Sequence, residues 1–419
     1  MTEETKETKE EEMEEEIKEL EQQYPPVAEQ PKHPGWVTIA EVFNKAEGSR
    51  KIDPIFENML FMLGYDFSSN IYVIKGDYLT IVDPGNDYTS FMALFDLDYD
   101  PGDIKKIVLT HGHRDHAMGL FELLNYPTIM ENKDIEIIIH EKGPEGFKKI
   151  IEETDFPVTL VKGGETLDLG GSEWEVISTP GHTMDGISLY HASTKTVFTG
   201  DTILPYGMAD VDDSAGGRLD HYLFSVKELL KRDIENILPG HGVPVVSAGR
   251  RVTEVAYEGV IAKILQIEGD FSWMDLAPKL VQRGLLEEAV YCCDKKLEGH
   301  SDDLMAMQLK AYCLTDMGRN EESIELIDKI LVLEKENPHA LLGKGHALMG
   351  LEKYKESIKY FDKVLKIKPD TKEAQIYKGM ALFFSGRTDE AMDIEVFATE
   401  FAEKFKDEVV SRQERQKKD

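Results

Sequence analysis

A 34-residue period runs through the carboxyl-terminal part of this 419-residue chain and leaves few folds open to it. Beyond residue 269, small residues, leucines and a second set of small residues recur in three separate columns. A glycine column keeps the same spacing and is interrupted only by Glu352. The columns are Ala277, Ala311, Gly345 and Gly379; Leu280, Leu314, Leu348 and Leu382; Ala289, Ser323, Ser357 and Ala391; and Gly284, Gly318 and Gly386. Because strand-type patterns stop at residue 269, the period predicts stacked helix pairs.

The physical basis of such columns is close packing, in which small residues let two helices cross and glycine forms the turn. The columns resemble the tetratricopeptide repeat, which implies four helix pairs over residues 270–405 that bind a protein or peptide partner. Glu395 replaces a residue that is usually apolar in this family, so we expect the array to end with the fourth repeat. The lysine and asparagine pattern of repeats that bind chaperone tails is missing, and its places are taken by Met274, Pro278, Gln308, His339 and Gly343.

Composition divides the remainder of the chain into tails, a linker and one folded domain. Residues 1–23 hold eleven Glu against three Lys, so we expect an acidic disordered tail and linker over residues 1–34. From 35 to 250, short β-type runs alternate with amphipathic stretches, which predicts an α/β or a layered αββα domain. A linker helix over 251–269 and a polar tail over 406–419 complete the predicted organisation.

The charge and cysteine content indicate the compartment and disfavour some partners. The chain has 80 acidic and 48 basic residues and a net charge of −32, which disfavours nucleic acid and anionic membranes as partners. Three cysteines cannot form a disulfide framework, and the amino terminus is acidic where a signal peptide is basic. No stretch approaches the ~20 apolar residues of a membrane span. These features predict a soluble, cytoplasmic protein with no membrane partner.

The chemistry of the chain is concentrated in the run His111-Gly112-His113-Arg114-Asp115-His116, which directly follows a predicted apolar strand. Histidines two residues apart on an extended segment can point at one ion, whereas Asp115 and His116, displaced around the first turn of a helix, can face a second. A lone histidine at a strand end is usually a satisfied polar residue. Four such groups together predict a metal site, because burying them without a metal leaves their polarity uncompensated.

Three further polar residues follow predicted strands, and each comes directly after a glycine. They are His182 in Thr179-Pro180-Gly181-His182-Thr183, Asp201 in Thr199-Gly200-Asp201-Thr202, and His241 in Leu238-Pro239-Gly240-His241-Gly242. A glycine permits a tight turn that presents the next side chain at a sheet edge. Each motif is weak alone, but their order, at intervals of 66, 19 and 40 residues from His116 onward, is a strong signal.

The whole set resembles the metallo-β-lactamase superfamily, in particular its hydroxyacylglutathione hydrolase (glyoxalase II) branch, over roughly residues 55–250. The resemblance implies an αββα sandwich with two metal ions at one edge. The ligands that it implies are His111, His113 and His182 for the first ion, Asp115, His116 and His241 for the second, and Asp201 as the bridge. Imidazole and carboxylate ligands without a thiolate suit zinc, iron or manganese, and we expect two zinc ions.

Such a site predicts a hydrolase with a small-molecule substrate. Water between two divalent cations loses its proton near neutral pH, beside a carbonyl group that the same cations polarise. The expected substrate is a thioester or ester, and the expected catalytic residues are Asp115 and Asp201. The glutathione-binding site of the resembled branch does not carry over, because its place in the chain is taken by the linker helix and the repeats.

Two other residues are candidates for supporting roles. Asp83, in Val82-Asp83-Pro84-Gly85, matches a position that orients a metal ligand in the superfamily, but Asp-Pro-Gly is also a good turn sequence by itself. Arg218 resembles an arginine near the pocket mouth in the same families, where it would bind a substrate anion. An ion pair of Arg218 with Asp213 or Asp220 is the alternative.

Three other functions stay open at this point. RNA-cleaving phosphodiesterases of the superfamily share Arg114 and the Asp-His-Tyr-Leu run at residue 220, but the net charge opposes a nuclease unless a basic face lies beside the metals. Iron-dependent relatives oxidise persulfides with overlapping ligands, whereas relatives that reduce oxygen usually carry Glu at the position of His113. The third alternative is a repeat scaffold with a vestigial metal site, which the complete ligand set opposes.

Overall fold

The computed structural model describes residues 35–47, 52–65, 67–86, 88–131, 134–269, 271–401 and 403. The chain divides into two compact units, Met1–Ile264 and Leu265–Asp419, and each has buried apolar clusters of its own. The tails predicted over residues 1–34 and 406–419 lie outside the described residues.

The described part of the first unit contains two β-sheets. Their strands are β1 (Val37–Thr38), β2 (Met59–Met62), β3 (Ile71–Lys75), β4 (Leu79–Val82), β5 (Ile104–Val108), β6 (Glu136–His140), β7 (Val158–Val161), β8 (Thr166–Leu169), β9 (Ser172–Ser178), β10 (Ile187–His191), β11 (Thr196–Gly200) and β12 (Asn236–Pro239). The first sheet has the order β1 to β7, antiparallel as far as β4 and parallel from β4 to β7. The second has the order β12-β11-β10-β9-β8, and only β11 and β12 are parallel.

The two sheets enclose one core, and helices cover them. The core joins side chains of both sheets, and the Tyr72 ring packs on Phe61 at 5.3 Å and edge-on against Phe198 at 5.0 Å between centroids. A second buried cluster lies between the first sheet and its helices. The helices are α1 (Ile39–Glu47), α2 (Thr89–Phe95), α3 (Arg114–Leu124), α4 (Pro127–Glu131), α5 (Glu145–Glu152), α6 (Leu219–Leu230) and α7 (Gly249–Leu265). The predicted αββα sandwich is confirmed.

Strand β2 was not indicated by the sequence pattern. All four of its residues are buried, so the strand lacks the apolar-polar alternation that reveals a half-exposed strand. Its position between β1 and β3 instead gives it apolar neighbours on both faces.

Parallel strands bring the predicted site residues to one edge. Asp83 follows β4 and His111 follows β5, its parallel neighbour. In the second sheet, Asp201 follows β11 and His241 follows β12, again a parallel pair. Because neighbouring parallel strands end on the same side of a sheet, residues far apart in the chain meet there.

The second unit consists of helices, and the predicted repeat architecture is confirmed. They are α8 (Trp273–Gln282), α9 (Leu286–Gly299), α10 (Leu304–Asp316), α11 (Asn320–Leu333), α12 (Pro338–Gly350), α13 (Tyr354–Ile367), α14 (Lys372–Phe384) and α15 (Thr388–Met392). The turn column has a left-handed backbone, with φ of 74° at Gly284, 78° at Gly318 and 82° at Gly386. Glu352 adopts the same conformation with φ of 60°, so the turn geometry persists where the glycine is lost.

A charged column that the sequence comparison did not identify also keeps the 34-residue spacing. A lysine of one helix forms an ion pair with an aspartate 16 residues earlier, on the preceding helix, in three successive repeats. The pairs are Lys310 with Asp294, Lys344 with Asp328, and Lys378 with Asp362. Each pair links the second helix of one repeat to the first helix of the next.

Among the described helices, none is both long and apolar enough to cross a membrane.

Candidate metal centre

Four loops bring the seven predicted ligands to the edge where the strands end. The run from His111 to His116 leaves β5 and enters the first turn of α3, which begins at Arg114. The other loops follow β9, β11 and β12. A Cβ atom on Gly240 would overlap Oδ1 of Asp201 and Cε1 of His116, so only glycine lets the last loop approach them.

The first group of ligands consists of His111, His113 and His182. Nδ1 of His113 lies 3.1 Å from Nε2 of His111 and 3.0 Å from Nε2 of His182. Three imidazole nitrogens that converge in this way cannot all be satisfied by donating to one another, because a neutral ring has one donor and one acceptor nitrogen. The group therefore has the arrangement that can hold a metal ion.

The second group consists of Asp115, His116 and His241. Oδ2 of Asp115 lies 3.0 Å from Nε2 of His241 and 3.6 Å from Nε2 of His116. The His116 side chain is buried, whereas those of Asp115 and His241 are each 32% exposed. The second group can also hold a metal ion, and its accessible side is formed by Asp115 and His241.

Asp201 lies between the two groups. Its Oδ2 is 3.6 Å from Nε2 of His182 in the first group and 3.5 Å from Nε2 of His241 in the second, and its Oδ1 is 3.4 Å from Nε2 of His116. Oδ1 of Asp201 and Nε2 of His116 are buried without a hydrogen-bond partner among the described residues. Leaving such an atom unsatisfied costs about 1–3 kcal/mol. Metal ions in contact with these atoms would compensate for that cost, so the residues fit a dinuclear centre.

The charge states of Asp201 and His111 suit cations, whereas His116 must lose a proton to bind one. Burial opposes ionisation of Asp201, but the imidazoles of His116, His111 and His241 outweigh it and hold the pKa of the carboxyl well below its usual range. Burial keeps the pKa of His111 well below its usual value, so that ring is neutral and able to bind a cation. For His116, burial is outweighed by the carboxylates of Asp201 and Asp83, which raise the pKa of the ring.

Comparison with known proteins decides the family. Residues 64–241 match the family described as Metallo-beta-lactamase superfamily, and residues 338–371 match the tetratricopeptide repeat. A probable metallo-hydrolase of Methanocaldococcus jannaschii is 31% identical over 198 residues, which cover 44% of this chain and 92% of that protein. The chain belongs to the metallo-β-lactamase superfamily. The first unit, which contains the matched residues, is a metal-dependent hydrolase. The fold of the superfamily holds a dinuclear metal site.

Two further proteins are similar to part of this chain. The hydroxyacylglutathione hydrolase of Brucella ovis is 38% identical over 117 residues, which cover 28% of this chain and 40% of that enzyme. The chain thus spans less than half of the length of that relative. A crystal structure of a metallo-beta-lactamase family protein from Thermus thermophilus has 22% identity and a TM-score of 0.40, covering 54% of this chain and 87% of that one.

Asp83, in the first unit, lies on the side of His116 that faces away from the other predicted ligands. Its Oδ2 accepts hydrogen bonds from Nδ1 of His116 at 2.8 Å and from Oγ1 of Thr110 at 2.7 Å, and its Oδ1 accepts from the Thr110 amide. Asp83 is 2% exposed and has a left-handed φ of 53°. Asp83 therefore contacts the ring of a predicted ligand, which is the contact that a positioning role would need.

Arg218 forms the alternative ion pair. Its Nε and Nη2 donate to the two carboxylate oxygens of Asp220 at 2.9 and 2.8 Å. Both side chains are 61% exposed. The structure places Arg218 on the surface at the start of α6, with its guanidinium group hydrogen-bonded to Asp220.

Two further side chains, Asp212 and Tyr222, contact the loops of the site. Nε2 of His113 lies 2.9 Å from Oδ2 of Asp212, which is 99 residues away in the chain. The hydroxyl of the buried Tyr222 donates to the carbonyl oxygen of Thr202 at 2.6 Å and accepts from the amide of Ala209 at 3.0 Å, so it links the loop after β11 to α6. No motif marks Asp212, because its contact depends on how the loop folds back over the centre.

Proposed function

We propose that this chain hydrolyses a small thioester or ester at a centre of two zinc ions. The ligands are the seven predicted residues, His111, His113, Asp115, His116, His182, Asp201 and His241. The observation that supports this most directly is the position of Asp201, whose carboxylate faces both groups and has a buried oxygen without a partner among the described residues. A carboxylate in that place would offset part of the repulsion between two bound cations.

When bound, the two cations supply a water of lowered pKa and polarise the carbonyl under attack. The protein residues then have separate tasks. Asp201 stays ionised between the two positions, as its depressed pKa indicates. Asp115 is the more exposed of the two carboxylates, so it is placed to accept a proton from the attacking water while it remains a ligand.

A nuclease function has less support. Of the cations around the centre, Arg218 is paired with Asp220, and Lys263 is paired with Asp210 at 2.7 Å. Binding a phosphate backbone needs clustered lysine and arginine side chains that are free to contact it. Arg114 is exposed beside His113, and Lys142 lies against Met184 in the loop that carries His182, but separate cations such as these do not make a basic face.

The test is metal content by mass spectrometry together with a substrate panel of thioesters, esters and phosphodiesters. The variants are Asp201→Asn and His116→Ala, with His191→Ala as the matched control, because His191 ends β10 and contacts Thr194 rather than the centre. We expect about two zinc ions per chain and thioester or ester turnover in the wild type and the control, and loss of both in the two site variants. Iron in the wild type would favour a persulfide oxygenase, and preference for phosphodiesters would favour a nuclease.

We further propose that the repeats bind a protein partner in a groove of about 500 Å³. Met274, Pro278, Gln308, His339 and Gly343, which occupy the places of the chaperone-tail clamp, all line it. Met305 and Tyr312 add large exposed side chains, and among the described lining residues Glu373 is the one with a full charge at neutral pH. The groove therefore favours a segment with apolar side chains over an acidic tail.

Selection of a displayed peptide library on the full chain tests this second proposal. Peptides that bind the groove should be rich in apolar side chains and should lose affinity for Tyr312→Glu. Val332→Glu is the matched control, because Val332 is 77% exposed and does not line the groove. Equal loss in both variants, or no selected sequence at all, would count against the groove and leave the proposed hydrolase unaffected.

A further inference from the structure

The segment Asp210–Asp212 contacts two of the three histidines in the first group on their far side. Oδ2 of Asp212 lies 2.9 Å from Nε2 of His113, and the carbonyl oxygen of Asp210 lies 2.5 Å from Nδ1 of His182. Both oxygens can only accept, so the protons of the two rings lie on these far nitrogens. The near nitrogens, Nδ1 of His113 and Nε2 of His182, are 3.0 Å apart and are left with lone pairs.

The segment is itself held by several contacts. Oδ1 of Asp212 accepts from the amide of Ser214 at 2.8 Å and from its hydroxyl at 2.6 Å, and the Asp212 amide donates to the carbonyl oxygen of His182 at 2.9 Å. Nζ of Lys263, on α7, lies 2.7 Å from Oδ1 of Asp210. The Asp212 amide therefore ties the segment to the loop that carries His182, and Lys263 ties it to α7.

We propose that Asp210–Asp212 is a positioning segment that selects the tautomers of His113 and His182 and thereby strengthens metal binding by the first group. The inference rests on the proposed metal centre and adds to it a determinant outside the ligands. A neutral imidazole exists in two tautomers, and the wrong one directs an N–H group at the metal position. An acceptor on the far nitrogen removes that tautomer and orients the ring, which typically changes metal affinity about 10–100-fold.

The two oxygens of Asp212 have separate partners, which makes Asp212→Asn a diagnostic change. Asparagine can keep its single carbonyl oxygen toward the amide of Ser214 and so retain the turn. Its NH2 group then faces the N–H of His113, and two donors oppose each other. The variant thus removes the acceptor for the ring and leaves the local fold in place. Asp213→Asn is the matched control, because Asp213 is the exposed neighbour and its side chain does not contact His113.

The experiment measures zinc affinity of the full-length protein by competition with a chromogenic chelator, together with the unfolding midpoint of the metal-free form. We expect Asp212→Asn to bind one of its two zinc ions about 10–100-fold more weakly, while Asp213→Asn binds both like the wild type. The metal-free midpoints of the two variants should agree. In metal-free wild type with ¹⁵N-labelled histidine, NMR should show the proton of His113 on Nε2 and none on Nδ1, with the resonance assigned from a His113→Gln variant.

Wild-type affinity for both ions in Asp212→Asn, or an Nε2 of His113 without a proton in the wild type, would overturn the inference. The NMR result needs no Asp212 variant, so it decides the question even if Asp212→Asn does not fold. A wild-type chain that binds no zinc at all would instead overturn the proposed metal centre, and the inference with it. The two failures are therefore distinguishable by the zinc content of the wild type.

Discussion

Nδ1 of His116 lies 2.8 Å from Oδ2 of Asp83, and both side chains are buried. The same carboxylate accepts two hydrogen bonds from Thr110, the residue before His111. Asp83 therefore links the end of β4 to the start of the loop that carries four predicted ligands. Its contact with His116 matches that of Asp212 with His113, since each carboxylate accepts from the ring nitrogen that faces away from the other predicted ligands.

Replacing Asp83 should weaken metal binding by the second group. Asp83→Asn is the informative change, because asparagine tolerates the left-handed φ of 53° and replaces one of the two acceptor oxygens of Asp83 by an NH2 group. We expect about 10–100-fold lower affinity for one zinc ion, measured by chelator competition. Asp233→Asn, an exposed aspartate paired with Lys195, serves as the control. Unchanged affinity in Asp83→Asn would contradict a role of Asp83 in metal binding.

Zinc uptake by the metal-free protein should release protons at neutral pH. The raised pKa of His116 means that the ring holds its proton at pH 7, and a metal ion at Nε2 must displace it. Zinc affinity should accordingly increase with pH until the raised pKa is passed. Calorimetric titrations with zinc at pH 7, in two buffers of different ionisation enthalpy, measure the release. Equal heats in the two buffers would contradict this prediction.

The same shift makes the stability of the metal-free protein depend on pH. Because the pKa of His116 is higher in the folded than in the unfolded chain, its contribution is fully present below the unfolded value of about 6.5. That contribution is lost as the pH rises through the folded pKa. Thermal unfolding of the metal-free protein between pH 6 and 9 checks the sign, and His116→Ala should remove this part of the dependence.

Removing the metals should destabilise the first unit and spare the second. The centre joins loops of both sheets, so a ligand that binds only the folded state stabilises the sandwich by about 2.7 kcal/mol when its free concentration is 100 times its Kd. We expect chelation to lower the unfolding midpoint of one of two calorimetric transitions, and zinc to restore it. A single transition that does not respond to chelation would be inconsistent with a metal-filled centre.

The turn column of the repeats allows a prediction about stability that is independent of the metal. Gly318 has a φ of 78° and open space where a Cβ would lie, so Gly318→Ala incurs only backbone strain, about 1 kcal/mol. Glu352→Gly should relieve comparable strain and so stabilise the second unit. The gain is reduced by the larger conformational entropy that glycine loses on folding. Gly299→Ala is the control, since Gly299 also has open space but no positive φ. Denaturant unfolding monitored by circular dichroism measures all three.

Much of the fold was predictable because its signals are local. The period of a helix or a strand can be read from a run of about ten residues. The repeat columns can be read by comparing each 34-residue stretch with the next. Strand β2 was not predicted, because a fully buried strand lacks the alternation of apolar and polar residues. The Asp-Lys pairs were not predicted either, because their side chains meet only when two helices pack together.

Sequence patterns were enough to predict the αββα and repeat architecture and the seven residues that converge at the strand ends, because each belongs to a short motif at a strand end. The contacts around those residues became known only from the folded chain. Asp212 reaches His113 across 99 residues, and Arg218 is occupied by Asp220. Such contacts depend on how the loops fold over the sheet edge. Residue spacing along the chain does not reveal them, because the contacting side chains belong to different segments that meet only when the chain is packed in three dimensions.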